Sequence, residues 1–298
     1  MRATLIVNPN AGGARRVRLE DLAAALEAAG YHPVVETTTD EQDLDRVLAE
    51  PEGLVVAAGG DGTLRAVAQR MVGKRAPLAL VPMGTANNIG RTLGLDGEPA
   101  DLLRALDAPR RQPFDLGRVT ASWGSGLFLE ACGYGLYADV LAAYDPEAGK
   151  SVTRALASLV TTLSGYQGRP YALRLDGEDL SDEYLMVEVL NTCATGPRLQ
   201  LAPGADPGDG LLDVVLIRDD NRARLLDYAR ALLAGELAGL DSVEVRRVRR
   251  LEVDGDGAPM HLDGEVRGGG EDRQSARIEV VPGALELWLP AVKREEER

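Results

Sequence analysis

The sequence predicts an α/β domain built on a doubly wound parallel sheet, followed by an antiparallel β domain. Three observations carry this. Across residues 1–117, apolar runs of strand length alternate four times with stretches of helical periodicity, the pattern of a parallel sheet covered on both faces. After Pro113-Phe114-Asp115-Leu116-Gly117, short strand-like runs alternate with Asp-Gly pairs, which are strong hairpin signals. The length of 298 residues is enough for two buried cores.

In order, Ala3–Val7 reads as a buried strand that ends at the turn-rich loop Asn8-Pro9-Asn10-Ala11-Gly12-Gly13. A helix is expected over Arg15–Ala29, with Leu22, Ala25, Leu26 and Ala29 on one face and Gly30 as its stop. A strand near His32–Glu36, a polar Thr37–Asp40 turn and a helix carrying Leu44, Val47 and Leu48 follow. Leu54–Ala58 is the central strand. It runs into Gly59-Gly60-Asp61-Gly62-Thr63 and then into a helix with Leu64, Val67, Ala68 and Met71 on one face. Leu78–Val81 is another strand, leading through Pro82-Met83-Gly84-Thr85-Ala86-Asn87-Asn88 into a helix. In the second half, strands are expected at Tyr171–Leu175, Leu185–Leu190, Leu211–Ile217, Arg250–Val253, Met260–Leu262 and Arg277–Val281. Asp-Gly turns are expected at Asp176, Asp209, Asp254, Asp256 and Asp263, and helices over Val152–Ser164 and about Ala223–Leu233. The domains are expected at 1–117 and 118–290, the last strand being free to return to the first domain, with a charged tail at 291–298.

Composition narrows the function classes. A net charge of -14 argues against a nucleic-acid partner, whose backbone it would repel, and against electrostatic adsorption to an anionic membrane. Neither Cys132 nor Cys193 has a partner at metal-ligand spacing, so both read as free thiols of a reducing compartment. Met1–Val7 is too short for a signal peptide, and no apolar stretch nears the ~20 residues a membrane helix needs. A cytoplasmic protein without a transmembrane segment is the expectation.

Ligands of such sheets bind outside the carboxyl ends of the strands. Three glycine loops fall there: Asn8–Gly13, Gly59–Thr63 and Gly84–Asn88. Backbone N–H groups at a strand-to-helix turn suit an anion such as phosphate. Asp61 would repel phosphate unless a divalent cation lay between them. No Gly-x-x-x-x-Gly-Lys-Ser/Thr occurs, and Arg65 stands where a dinucleotide fingerprint needs a small residue. With only His32 and His261 in the chain, a carboxylate base suits the composition.

Taken together, the three loops resemble the diacylglycerol kinase catalytic family and, within it, the bacterial soluble lipid kinases. Leu201-Ala202-Pro203 leading to Asp209-Gly210-Leu211-Leu212-Asp213, and Asp263-Gly264-Glu265, complete the match in the family's order. The resemblance implies a β-sandwich second domain, ATP and Mg²⁺ as cofactors, and a lipid substrate presented at a membrane surface by transient association. A homodimer stays open. It implies that Asn8, Pro9, Asn10, Ala11, Gly12 and Thr38 line the nucleotide, and that Gly59, Gly60, Asp61, Gly62, Thr63, Leu64, Arg65 and Thr85 hold phosphates. Asp209 would bind a metal by its side chain, with the carbonyls of Asp206 and Leu211, and Asp61 and Asp115 would hold the catalytic magnesium through water. Asp263 and Glu265 match the catalytic acidic motif, Glu265 being the favoured proton acceptor. Asn88 stands where these kinases commonly have Asp, removing a charge from the metal's surroundings. Two other readings stay open: an NAD kinase, which shares Gly59–Thr63, and a nucleotide- or lipid-binding regulator with weak turnover. A lipid also needs an apolar wall, expected at Gly133–Val140 with the Val152–Ser164 helix.

Overall fold

The computed structural model describes residues 1–9, 17–38, 40–143, 162, 166–219, 225–255, 257–269 and 274–291. The chain divides into one unit of Met1–Phe114 with Gly283–Arg298, and a second of Asp115–Pro282.

The first unit contains strands β1 (Arg2–Val7), β2 (His32–Thr37), β3 (Leu54–Gly59) and β4 (Leu78–Pro82), all parallel, in the order β4-β3-β1-β2. Helices α1 (Leu19–Ala28), α2 (Glu41–Val47), α3 (Asp61–Met71), α4 (Asn88–Thr92) and α5 (Pro99–Arg104) connect and follow them. Every residue of β3 and β4 is buried, as a sheet covered on both faces requires. Leu5, Val7, Val56 and Ala58 pack with Leu22 and Leu26 of α1 and Leu103 of α5. The alternate residues Ile6, Val55 and Ala57 are equally buried, and α3 lies against β3 and β4.

The first helix starts later than its periodicity suggests. Arg18 is extended (φ -82°, ψ 136°), so α1 begins at Leu19, with Glu20 and Asp21 in its positive first turn. The helix α2 has Asp40 as its cap, accepting the Asp43 N–H at 2.9 Å.

The second unit is antiparallel. It takes up strands β5 (Arg110–Ala121, from Asp115 onward), β6 (Gly124–Phe128), β7 (Ala131–Gly135), β8 (Arg169–Leu175), β9 (Glu178–Asp179), β10 (Asp182–Leu190), β11 (Ala194–Thr195) and β12 (Leu199–Gln200). Further along come β13 (Leu212–Arg218), β14 (Val243–Val248), β15 (Arg250–Gly255), β16 (Met260–Leu262), β17 (Glu265–Arg267) and β18 (Gln274–Leu289). Helix α6 (Leu136–Ala142) follows β7, and α7 (Leu225–Ala234) follows β13. β10 is the hub. One edge pairs with β13, and the other is shared between β8 at Asp182–Tyr184 and β7 at Met186–Leu190. Its two faces feed two cores, Val187 and Val189 into one, Met186 and Leu190 into the other. β18 pairs with β15 in this unit, and its later residue Leu287 pairs with Leu78 of β4 in the first.

Two of the expected Asp-Gly turns are hairpins. Asp176-Gly177 and Asp263-Gly264 have positive φ at both residues, as a two-residue type I′ turn demands. Two are not. Asp254-Gly255 lies inside β15, paired with Ser275 and Gln274, because the tertiary ladder on both sides overrides the local signal. Asp209-Gly210 precedes β13 without closing a hairpin: Asp209 accepts the Leu211 N–H at 2.9 Å, a local turn of its own. Asp256, Asn10, Ala11, Gly12, Arg15, the 293–298 tail and nearly all of Val152–Ser164 lie outside the described residues.

Candidate active site

In the first unit, β1 and β3 are neighbours whose chains continue in opposite directions, to β2 and to β4. The carboxyl ends of such a pair are where open α/β sheets bind ligands. The loops there touch. Asn8 Nδ2 donates to Thr63 Oγ1 at 3.3 Å, and the N–H of the buried Thr38 donates to the Val7 carbonyl at 3.1 Å. A Cβ on Gly84 would stand 2.7 Å from Gly60 Cα, so bare backbone is what lets the second and third loops meet.

At the start of α3 the amides divide by role. Thr63 and Leu64 N–H donate to the Gly60 carbonyl at 2.8 and 3.0 Å, and the Leu64 side chain is core. The amides of Gly60 and Gly62 stand earlier, where a helix start has no partner of its own for them, and can meet an anion. Arg65 is half-buried one position beyond Leu64, and Thr85 is exposed in the third loop.

Asp61 sits between loops. Its Oδ1 accepts the Ile89 N–H at 3.4 Å, at the start of α4. The usual cap position there, Asn87, is left-handed (φ 53°) and turns its own Oδ1 back to the Gly84 N–H at 2.7 Å. Asp61 thus does the capping from a different loop. Burial raises its pKa, while the N–H groups of Ile89, Asn87, Asp61 itself and Asn88 pull the other way. Asn88 is buried at the first position of α4.

In the second unit, two groups form. Asp115, 1% exposed, accepts the Gly210 N–H on Oδ2 at 2.7 Å, and its own N–H donates to the Pro207 carbonyl at 2.6 Å. It therefore fastens the loop that carries Asp206, Asp209 and Leu211. The carboxylate of Asp209 and the carbonyls of Asp206 and Leu211 are all hard oxygen donors, which suit Mg²⁺ or Ca²⁺. Asp209 Oδ2 pairs with Arg247, a partner the sequence did not reveal. Among the described residues no three His, Cys, Asp or Glu side chains form a metal cluster.

The second group is built on Asp263. Its Oδ2 accepts the Leu129 N–H at 2.9 Å, and Oδ1 accepts those of Glu130 and Ala131 at 2.8 and 3.1 Å. From the other side, Asn191 Nδ2 donates to the carbonyls of Leu129 and Asp115, at 3.0 and 2.9 Å. Asp263 and Asn191 clamp residues 129–131 between them. Glu265 is exposed at the start of β17, with Oε2 held by Arg267 at 2.7 Å. In the sequence, Asn191 stands at a strand end and Glu188 inside an apolar strand, and neither belongs to a motif. A lone carboxylate within Leu185–Leu190 was the one signal available.

The Gly133–Val140 segment packs inward: Tyr134, Leu136, Tyr137, Ala138 and Val140 are all buried. Next to it, burial pushes the Cys132 thiol well up, with Glu188 and Asp263 adding to the effect. Cys132 is therefore expected to resist a thiol reagent at pH 8 in the folded protein and to react only on denaturation. Rapid native-state modification, located by mass spectrometry, would contradict this burial.

Glycine loops around a helix-capping aspartate stand at the carboxyl ends of a parallel sheet, and the second unit carries the acid motif. Comparison with known proteins gives the family. Residues 2–119 match the diacylglycerol kinase catalytic domain, and residues 141–289 match the YegS C-terminal NAD kinase beta sandwich-like domain. A protein of Pseudomonas aeruginosa described as "Probable lipid kinase YegS-like" is 34% identical over 97% of this chain and 95% of its own. A Bacillus subtilis protein named diacylglycerol kinase is 29% identical over 90% of each chain. The crystal structure of a diacylglycerol kinase from Bacillus anthracis strain Sterne superposes with a TM-score of 0.71 at 20% identity, over 98% of both chains, a likeness of fold. The chain belongs to the diacylglycerol kinase and YegS-like family of lipid kinases.

Proposed function

We propose that this chain transfers the γ-phosphoryl group of ATP, with Mg²⁺, to a hydroxyl of a diacylglycerol-like or related lipid at a membrane surface. The observation that carries the reading is Asp61, a half-buried carboxylate placed where two glycine loops meet beside the Gly60 and Gly62 amides. Phosphoryl transfer needs its phosphates held, their charge neutralised and the acceptor placed in line. Gly60, Gly62 and Thr63 would hold phosphate oxygens, and Asn8 orients the Thr63 hydroxyl. Mg²⁺, when bound, supplies the charge neutralisation; Asp61 is the carboxylate of the first unit that would hold it through water, while Asp115, in the second unit, fastens the Asp206–Leu211 loop. The Asp206–Leu211 loop would hold a second, partly structural ion. No helix among the described residues is long and apolar enough to cross a membrane, so a protein that visits the lipid surface fits this reading.

The hydrogen bonds support Glu265 as the proton acceptor over Asp263. Both Asp263 oxygens already accept backbone N–H bonds, whereas Glu265 is exposed, with Oε2 accepting from Arg267. Glu265→Gln is expected to lower kcat by roughly 10²- to 10⁴-fold, the usual worth of a general base, with ATP affinity unchanged. An equal loss of ATP affinity would remove it from that role.

The direct test is transfer of labelled γ-phosphate from ATP to a panel of lipids in mixed micelles, with NAD as a control acceptor. Labelled lipid is the expected product. Labelled NADP, or no product from protein that binds ATP, would overturn the reading.

A further inference from the structure

We infer that His261, held by Glu188, is a positioning residue that sets the Asp263-Gly264-Glu265 turn; the inference rests on the lipid kinase reading for its effect on rate.

The arrangement begins with a glycine. β7 lies between β10 and β16, and its Gly133 is paired with Glu188 on one side and His261 on the other. Residues paired across a sheet project to the same face. With no side chain on the middle strand, the outer two meet above it: His261 Nε2 and Glu188 Oε1 are 2.8 Å apart, both side chains wholly buried. A Cβ on Gly133 would lie 2.1 Å from Glu188 Oε2 and would fill that space. The ring of Tyr137 packs edge-on against His261, 4.7 Å between centroids, and fixes its plane.

The other ring nitrogen identifies the tautomer. The Gly264 N–H donates to His261 Nδ1 at 3.4 Å, so Nδ1 carries no proton and Nε2 donates to Glu188. A carboxylate selecting the tautomer of an imidazole, whose far nitrogen then holds a working group, is a recurrent orienting device. The group held here is backbone. Asp263 and Gly264 are both left-handed, at φ 47° and 81°, and Glu265 follows directly. Asp263 fastens the turn through its carboxylate, and His261 fastens it through the next amide. Glu188 shares a face of β10 with the buried Met186 and Leu190, and its Oε2 accepts no hydrogen bond among the described residues. A buried carboxylate so poorly served costs stability, and among the described residues its side-chain hydrogen bond is the one to His261.

Two variants separate the tether from general packing. His261→Gln keeps a donor near the Nε2 position, so Glu188 stays paired, but offers Gly264 no acceptor. His261→Asn with Glu188→Gln keeps an acceptor near Nδ1 and leaves no unpaired buried charge. The readouts are kcat and KM for ATP, and hydrogen exchange of the Gly264 amide. H261Q is expected to lose roughly 10- to 100-fold in kcat, the scale of a slightly misplaced group, with KM for ATP unchanged and faster Gly264 exchange. The double variant is expected to restore both towards wild type. Gly264 exchange in H261Q as slow as in wild type, or equal losses in the two variants, would overturn the inference. If the wild-type protein labels no lipid, the lipid kinase reading falls, and the exchange comparison still decides this tether.

Discussion

Asp61→Asn is expected to abolish phosphoryl transfer, by on the order of 10³-fold or more, in a protein that remains folded. The substitution is nearly isosteric and keeps an oxygen to accept the Ile89 N–H, so the start of α4 stays capped. Burial already disfavours the charged form of Asp61, so losing the charge removes a cost while exchanging one acceptor oxygen for an amide group. The two effects oppose, and Tm should move by no more than about 4 °C, the scale of 1 kcal/mol for a domain of this size. What the variant lacks is the negative charge that would face a bound cation. Full activity in folded Asp61→Asn would remove Asp61 from the centre of the mechanism. Asp61→Ala is the contrasting case: it also strips the cap of α4, and about 1 kcal/mol of stability goes with it.

Asp263→Ala is expected to cost on the order of 4 kcal/mol or more in denaturant unfolding, as well as activity. Three backbone N–H groups, those of Leu129, Glu130 and Ala131, lose their acceptor together. These residues are buried, so water does not readily replace it. The variant also puts alanine at φ 47°, where Asp is better tolerated. Asp263→Asn should be milder, about 1–3 kcal/mol, because one oxygen still serves two of the three donors while the new amide confronts the third. An inactive Asp263→Ala protein with unchanged stability would mean that Asp263 acts on the reaction and not on the clamp. Glu265→Gln, by contrast, should leave stability alone, since its side chain is exposed.

These two carboxylates also show how much was legible beforehand. The strand and helix order of the first unit followed from periodicity, because each segment of a parallel sheet carries its own apolar signal. The loops Gly59–Thr63 and Gly84–Asn88 stood out as glycine turns after strands, and so did the Asp263-Gly264 hairpin, with its two left-handed residues. Strands β5, β6, β7, β14 and β17 did not stand out. They are short or weakly alternating, and they are strands because neighbours pair with them.

The amino-acid sequence by itself determined the parallel-sheet domain, the antiparallel domain after it, the glycine loops and the acid-bearing motifs. Those are local signals: periodicity, turn chemistry and spacing. The partners were decided only by the tertiary structure. That Asp61 caps α4, that Asp263 grips residues 129–131, that Asp209 meets Arg247, and that Glu188 reaches His261 over Gly133 all join residues far apart in the chain. A hydrogen bond depends on where two atoms lie in space, and the spacing of residues along a chain does not carry that distance.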